Sequence, residues 1–599
     1  MPAGRIGLTL ICVALLAGDA RAQSGANVLV VANDASLPSV EVAEYYATRR
    51  NVPANQLLKI RTSTADQITR AEYELTIQVP IAAWLSGNGA QDRILYIVLT
   101  TGVPLRVAGT GGRTGTVSSV DSELTLLYRR MTGEPVPTNG SIKNPYYLGE
   151  APVAEAQRFS HATHDIYLVT RLDGFTVPDV KALIDRGVAP ATTGRVLLDQ
   201  REGVKQAPNQ WLADAAERLE AQGLGGRVLL EQTSAVVPPE KGVLGYYSWG
   251  SNDPSITERH PGVEFAPGAL AAMFLSSDAR TFTEPPEEWK PGRWESRQAY
   301  YAASPQSLTA DLVRAGVTGA GGYVSEPYID SSVRPEVLFP SYFAGVNLAE
   351  AFYLALPVLS WQSVVVGDPL CAPFAKSTVP AADLHPPMDK ETELPSFFSA
   401  RRLAAASPKT DPAAARLVAR AESRLARDNR QGARESLEQA VASDNSLTPA
   451  WRMLGMLYDE AGDYEQAIAA YRKVLEREPK DATSLNNLAY SLAVHQRKPQ
   501  EALQLAERAF QLAPRNPVIA DTLGWIKYLL DDYTGAIKLL EPAAQAVPRN
   551  AEIQLHAAAA FAAAGRGEDA AAALKAAEAA DPKISERPEF QEIAKKIGK

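Results

Sequence analysis

From about residue 23 to 374, short β-branched and aliphatic runs alternate with amphipathic stretches, the pattern of a mostly parallel sheet flanked by helices. Strands are predicted over 28–31, 57–60, 94–99, 166–169, 196–198, 228–230, 243–247, 271–275, 321–324 and 364–366. Most of these runs are apolar throughout, as expected of strands buried on both faces. Apolar residues three or four apart predict helices over 40–50, 178–186, 211–222, 307–315 and 347–356. Between 375 and 410 the pattern stops. Pro380, Pro386, Pro387, Pro395 and Pro408 punctuate a polar stretch that also holds Phe397 and Phe398, and it reads as a linker. From 411 to 599 the chain is rich in Ala, Leu, Glu and Arg at helical spacing, so an all-α array is expected after the α/β domain.

Within that array Trp451, Leu454, Gly455, Tyr458, Ala467, Tyr471 and Pro479 fall at the spacings of a 34-residue repeat. The pattern recurs upstream at Ala433 and Leu437, then at Leu488, Ala489 and Pro514 with one inserted residue. It continues at Leu523, Gly524, Ala536, Leu540 and Pro548, and at Phe561, Ala570, Leu574 and Pro582. The array therefore resembles tetratricopeptide repeats in about five copies. That resemblance implies a solenoid whose first helices line a groove for a protein or peptide partner. In this register the lining is Arg452, Met456, Asp459, Asn486, Tyr490, Asp521, Trp525 and Tyr528; the aromatics serve either as anchors or as packing between repeats. Arg452 and Met456 stand where the Lys and Asn set of a carboxylate clamp would begin, a departure from that binding mode.

Composition narrows the classes. Hydrophobic residues at 46% and charged residues at 22% are ordinary globular values. With 60 Lys and Arg against 69 Asp and Glu, the net charge of −9 offers no general attraction to nucleic acid. Arg5, an apolar run over 6–17 and Ala20-Arg21-Ala22 match a secretory signal over 1–22, cut after Ala22. Export to the periplasm or beyond is expected, with no membrane span after cleavage. Cleavage removes Cys12 and leaves Cys371 as the one thiol, which rules out an intrachain disulfide.

Candidate chemistry in the α/β domain lies after the strands, where open parallel sheets usually bind ligands. If the strands are parallel, the polar residues that follow them share one rim. The ligand-binding candidates are Asp34, Arg171, Asp173, Ser248, Ser251, Asn252, Asp253, Ser276, Arg280 and Glu326. Loop starts also favour such residues for helix caps, whatever the function. The clusters over 248–253 and 276–280 are longer than a cap requires.

Residues 245–252, 267–282, 319–324 and Gly367-Asp368-Pro369, with 167–174, resemble a family of uncharacterised secreted bacterial proteins over most of 27–374. More distantly, the order of strands and loops is similar to gingipain-type and caspase-like cysteine peptidases. Their chemistry requires a thiolate and a His at neighbouring strand ends. Here Trp249 stands in the His place, and Ser276 or Ser277 in the Cys place. Cys371 lies elsewhere. A Ser-dependent hydrolase would pair Ser277 with His260 and with Asp253 or Asp278, although no nucleophile-elbow motif surrounds Ser277. His161 and His164 lack a third nearby ligand, and neither the Gly-rich stretch 109–115 nor 319–322 is a phosphate loop, so no metal and no cofactor is expected.

Overall fold

A computed structural model describes residues 20–109, 117–138, 140–233, 240–375 and 379–598. The apolar run of the signal and most of the 109–115 stretch lie outside them. The chain forms two compact units that divide at Ala405.

The first unit is built on ten strands: β1 Val28–Asn33, β2 Leu57–Ile60, β3 Tyr96–Thr100, β4 Leu168–Leu172, β5 Arg195–Asp199, β6 Val228–Glu231, β7 Lys241–Ser248, β8 Glu264–Met273, β9 Gly319–Tyr323 and β10 Ser363–Gly367. Their order is β6-β5-β7-β8-β9-β10-β4-β3-β1-β2. The pairs from β6 to β9 are parallel, as are those among β4, β3, β1 and β2. Only β9 and β10 pair antiparallel. The two groups meet where β10 touches β4 through a single residue pair, Val366 with Arg171. Strands β1, β3, β4, β9 and β10 are buried along their whole length, including the polar Asn33, Thr100, Thr170 and Arg171 near their carboxyl ends.

Its principal helices are α1 Leu37–Arg50, α2 Val177–Val188, α3 Ala207–Ala221, α4 Thr309–Ala315, α5 Pro335–Ala344 and α6 Leu348–Ala355. Helix α5 was not expected. It is buried on every side and carries Pro340, so it has no polar face to give a periodic signal. Strand β9 reads Gly-Ala-Gly-Gly-Tyr, poor in strand formers, because α6 lies against it. A β-carbon on Gly319 would stand 2.4 Å from the Leu348 side chain, and one on Gly321 3.0 Å from Phe352.

The Pro-rich stretch is not the free linker the sequence predicts. It carries α7, Ser396–Ala404, which belongs to the first unit. Asp92, fully buried, accepts hydrogen bonds from the backbone N–H groups of Phe397 (2.8 Å) and Phe398 (3.1 Å) and from Tyr128 Oη (2.6 Å). A carboxylate distant in sequence thus caps this helix, leaving no local N-cap signature to read. Arg401 donates to the His161 carbonyl at 2.7 Å.

The second unit consists of helix pairs: α8 Pro412–Ala426 with α9 Arg430–Ser443, α10 Thr448–Ala461 with α11 Tyr464–Arg477, α12 Ala482–Tyr490 with α13 Pro499–Leu512, α14 Pro517–Leu529 with α15 Tyr533–Ala546, and α16 Ala551–Ala563 with α17 Gly567–Ala580. Helix α18, Pro588–Lys596, follows. A β-carbon on Gly455 would lie 2.4 Å from the Tyr471 ring, so only Gly lets α10 and α11 close around that side chain. The one inserted residue of the third repeat is absorbed where α12 continues through a turn of π geometry, Ser491–His495.

Asp92→Ala should cost on the order of 2 kcal/mol, because it strands two backbone donors and a buried hydroxyl. Limited proteolysis and hydrogen exchange of the full chain should then locate the new susceptibility between Pro387 and Ala405.

Candidate functional site

The predicted groove residues lie on the first helices α10, α12 and α14 of three successive pairs. Arg452 donates to Glu478 (2.7 Å) and Asp481 (2.8 Å). Met456 is 39% exposed, large for an apolar side chain in a folded unit. Asp459 accepts from Tyr471 Oη at 2.7 Å and from Ser491 Oγ at 3.0 Å, while burial raises its pKa. Asn486 is buried, and Tyr490 is half-buried.

Asp521 accepts from His556 Nδ1 at 2.9 Å. The His556 ring stacks on Trp525 (centroids 4.1 Å apart, 15°), which stacks on Tyr528 (4.7 Å, 11°). Burial opposes the charged form of His556, but the Asp521 carboxylate outweighs it and lifts the pKa above the usual value. His556 was missed by the sequence reading. The 34-residue register carries Asp521 to Leu555, one position short of His556, so the repeat spacing alone does not find it.

The strand-end candidates of the α/β unit do not form one rim of ligand-facing groups. Asp34 is exposed, 3.8 Å from Arg61, and Glu326 is exposed on another loop. Arg171 and Asp173 turn inward. The Arg171 guanidinium donates to Asp121 (2.6 and 3.0 Å), to Asp173 (3.1 Å) and to the carbonyls of Val103 and Pro104, which ties the loops after β3 and β4 together.

The 248–253 and 276–280 clusters join through Gln306, a residue in a loop without periodicity that sequence reading also missed. Its Oε1 accepts from Ser276 N (3.1 Å), Ser276 Oγ (3.2 Å) and Ser277 Oγ (2.8 Å), and its Nε2 donates to Asn252 Oδ1 (3.3 Å). Ser248 Oγ accepts from Gly250 N, Ser251 Oγ from Ser307 N, and Asp253 from Ser255. These are internal hydrogen bonds.

Arg280 closes the long loop that follows β8. It is 3% exposed and donates to four carbonyls: Ser277 (2.8 Å), Tyr301 (2.8 Å), Ser304 (3.0 Å) and Gln306 (2.9 Å). Burial pulls its pKa down to about 10. Arg106, from beyond β3, donates in turn to the Arg280 carbonyl.

The Ser277 and His260 pair is not assembled. The Ser277 hydroxyl meets an amide oxygen, which cannot serve as a base, whereas His260 is exposed and accepts from Gly262 N. His260 borders a different cavity of about 560 Å³ with Arg259, Glu284, Glu287, Asp311 and Arg314. Trp249 donates to Asn209 Oδ1 at 2.8 Å. Cys371 is buried 3.3 Å from Tyr342 Oη, and burial with Asp368 pushes its thiol up to about 12, which keeps it protonated. His161 is enclosed between the carbonyls of Ile94 and His164. Among the described residues no group of three or more His, Cys, Asp or Glu could hold a metal ion, and no helix is long and apolar enough to cross a membrane. At the end of β5, burial with Asp253 and Glu231 nearby pushes Asp199 up to about 7.

Two tetratricopeptide-repeat family models match residues 452–517 and 527–597. The TPR repeat-containing protein PA4667 of Pseudomonas aeruginosa is 36% identical over 101 residues, which is 17% of each protein. Among solved structures, PilW, a type IV pilus biogenesis factor, is 19% identical and matches 32% of this chain and 88% of its own, at a TM-score of 0.28. PilF of Pseudomonas aeruginosa is 20% identical, with 34% and 89% covered and a TM-score of 0.29. YrrB, a TPR protein with an unusual peptide-binding site, is 18% identical, with 30% and 91% covered and a TM-score of 0.25. The second unit thus carries tetratricopeptide repeats.

Arg280→Met should unfold the loop after β8, with a loss of about 3 kcal/mol for four unmet carbonyls, and Arg280→Lys should not rescue it. A proton on Asp199 is favoured by the folded state. Its stabilisation is complete below the unfolded pKa near 4 and is lost as pH rises through about 7. Asp199→Asn should flatten the fall in denaturant midpoint between pH 4 and 7.

Proposed function

We propose that this is an exported protein-interaction protein whose tetratricopeptide array holds a protein or peptide partner, with the α/β unit as an attached body lacking the peptidase dyad. The observation that supports the reading is the run of tetratricopeptide repeats over the second unit, with the stacked Trp525 and Tyr528 rings on the first helix of the fourth pair. Export rests on the residues of the N-terminal segment: Arg5, the apolar run over 6–17 and Ala20-Arg21-Ala22. The gingipain-like relation rests on the order of strand, Gly-Ser loop, strand, Ser-rich loop and closing Gly367-Asp368-Pro369 alone. A hydrolase centred on Ser277 is the weaker reading, since its hydroxyl already donates to Gln306 and no imidazole adjoins it.

The test is affinity capture from envelope and secreted fractions with the full chain. Trp525→Ala should reduce recovery of the partner about tenfold or more without changing helicity by circular dichroism, and Ser277→Ala should leave recovery unchanged. Recovery indifferent to Trp525, or turnover of a peptide or ester panel that Ser277→Ala abolishes, overturns the reading.

A further inference from the structure

The α/β unit holds Gln23 by its side chain. The Gln23 carboxamide uses its full hydrogen-bonding capacity: Nε2 donates to Glu350 Oε1 (2.9 Å) and to the Phe159 carbonyl (3.1 Å), and Oε1 accepts from Asn347 Nδ2 (3.2 Å) and from Arg158. The partners fix its orientation. Asn347 caps α6 by accepting from Glu350 N through Oδ1 (2.9 Å), so its Nδ2 faces Gln23, which answers with its oxygen. The Gln23 nitrogen then meets a carboxylate and a carbonyl, both acceptors. Glu350 and Asn347 are 0% and 2% exposed, and Arg158 pairs with Glu350 at 2.8 Å. This socket is built from interior groups and is completed by a carboxamide. A Glu in place of Gln23 would set a second carboxylate against Glu350, and an apolar residue would leave buried groups unmet.

Close anchoring of the chain starts at this residue. Ala22 is exposed, and Ala20–Arg21 before it make a two-residue ladder with Val379–Pro380. After it, Ser24 closes a capping box with Asn27, and Asn27 donates to the Arg93 carbonyl at 3.0 Å. Gly25 lies so near Arg50 that a β-carbon would stand 2.4 Å from the Arg50 carbonyl oxygen. Cleavage after Ala22 is part of the export reading, on which this inference rests, and it makes Gln23 the amino terminus. A free amino-terminal Gln ordinarily cyclises. The α-nitrogen attacks Cδ, the N–Cδ bond forms as the Cδ–Nε2 bond breaks, and a proton from the amine leaves with Nε2 as ammonia. In the folded chain, drawing Cδ towards the backbone nitrogen pulls the amide away from all four partners, and loss of Nε2 removes a donor from both Glu350 and Phe159. We propose that the socket formed by Arg158, Phe159, Asn347 and Glu350 receives the processed terminus of the chain and protects it, so that the mature protein begins with an uncyclised glutamine and a free α-amino group.

The test exports the full chain from a bacterial host and follows its N-terminal peptide by mass spectrometry, where cyclisation appears as the loss of one ammonia. The folded chain at neutral pH is compared with the free peptide Gln-Ser-Gly-Ala-Asn and with the same chain unfolded in urea. Cyclisation of the folded chain should be at least about tenfold slower than in either reference. Asn347→Ser keeps a capping hydroxyl for α6 but loses the donor to Gln23, and it should narrow that gap several-fold. The urea comparison involves no substitution, so it holds whatever the variant does to folding. A folded chain that begins at Gln23 and loses ammonia as fast as the peptide overturns the inference and leaves the export reading standing. An Asn347→Ser rate equal to that of the unaltered chain also overturns it, since the protection then lies outside the socket. Export with cleavage at another bond overturns the inference alone, and a chain neither cut nor exported overturns both.

Discussion

The guanidinium of Arg280 holds the carboxyl side of the α/β sheet together. The chain between β8 and α4 spans more than thirty residues with almost no regular structure, so its carbonyls cannot satisfy one another along a helix or a ladder. Arg280 meets four of them, and Gln306 gathers Ser276, Ser277 and Asn252 around one amide. The polar clusters after β7 and β8 therefore act mainly on each other. Trp249, Ser276 and Ser277 fill this place with packing and internal hydrogen bonds.

The repeat unit applies the same requirement in a different way. Its helices satisfy their own backbones, so side chains are free to form networks across the first helices. Asp521, His556, Trp525 and Tyr528 form one cluster, and the chain from Asp459 through Tyr471 and Asn487 ends at the buried Asn486.

Much of the fold was legible in the sequence. Each expected strand run overlaps a strand of the sheet, because strands buried on both faces must be apolar along their length. The repeat register was legible down to the inserted residue, since helix pairs that stack on identical neighbours reuse the same small and large positions. Helix α5 and helix α7 were not legible. One is apolar on all sides and so lacks a period, and the other depends on Asp92, some three hundred residues away, for its cap.

By itself the sequence determined the two-part architecture and the repeat, because each depends on local spacing. Only the tertiary structure decided what those residues do. Arg171, Asp173, Ser276 and Arg280 have side chains that suit a ligand, but they point to partners in other loops. Asn486 looks like any helical Asn until Tyr471 and Asn487 set the direction of its amide. Hydrogen bonds between distant segments have no sequence period, so their pairing exists only in the folded chain.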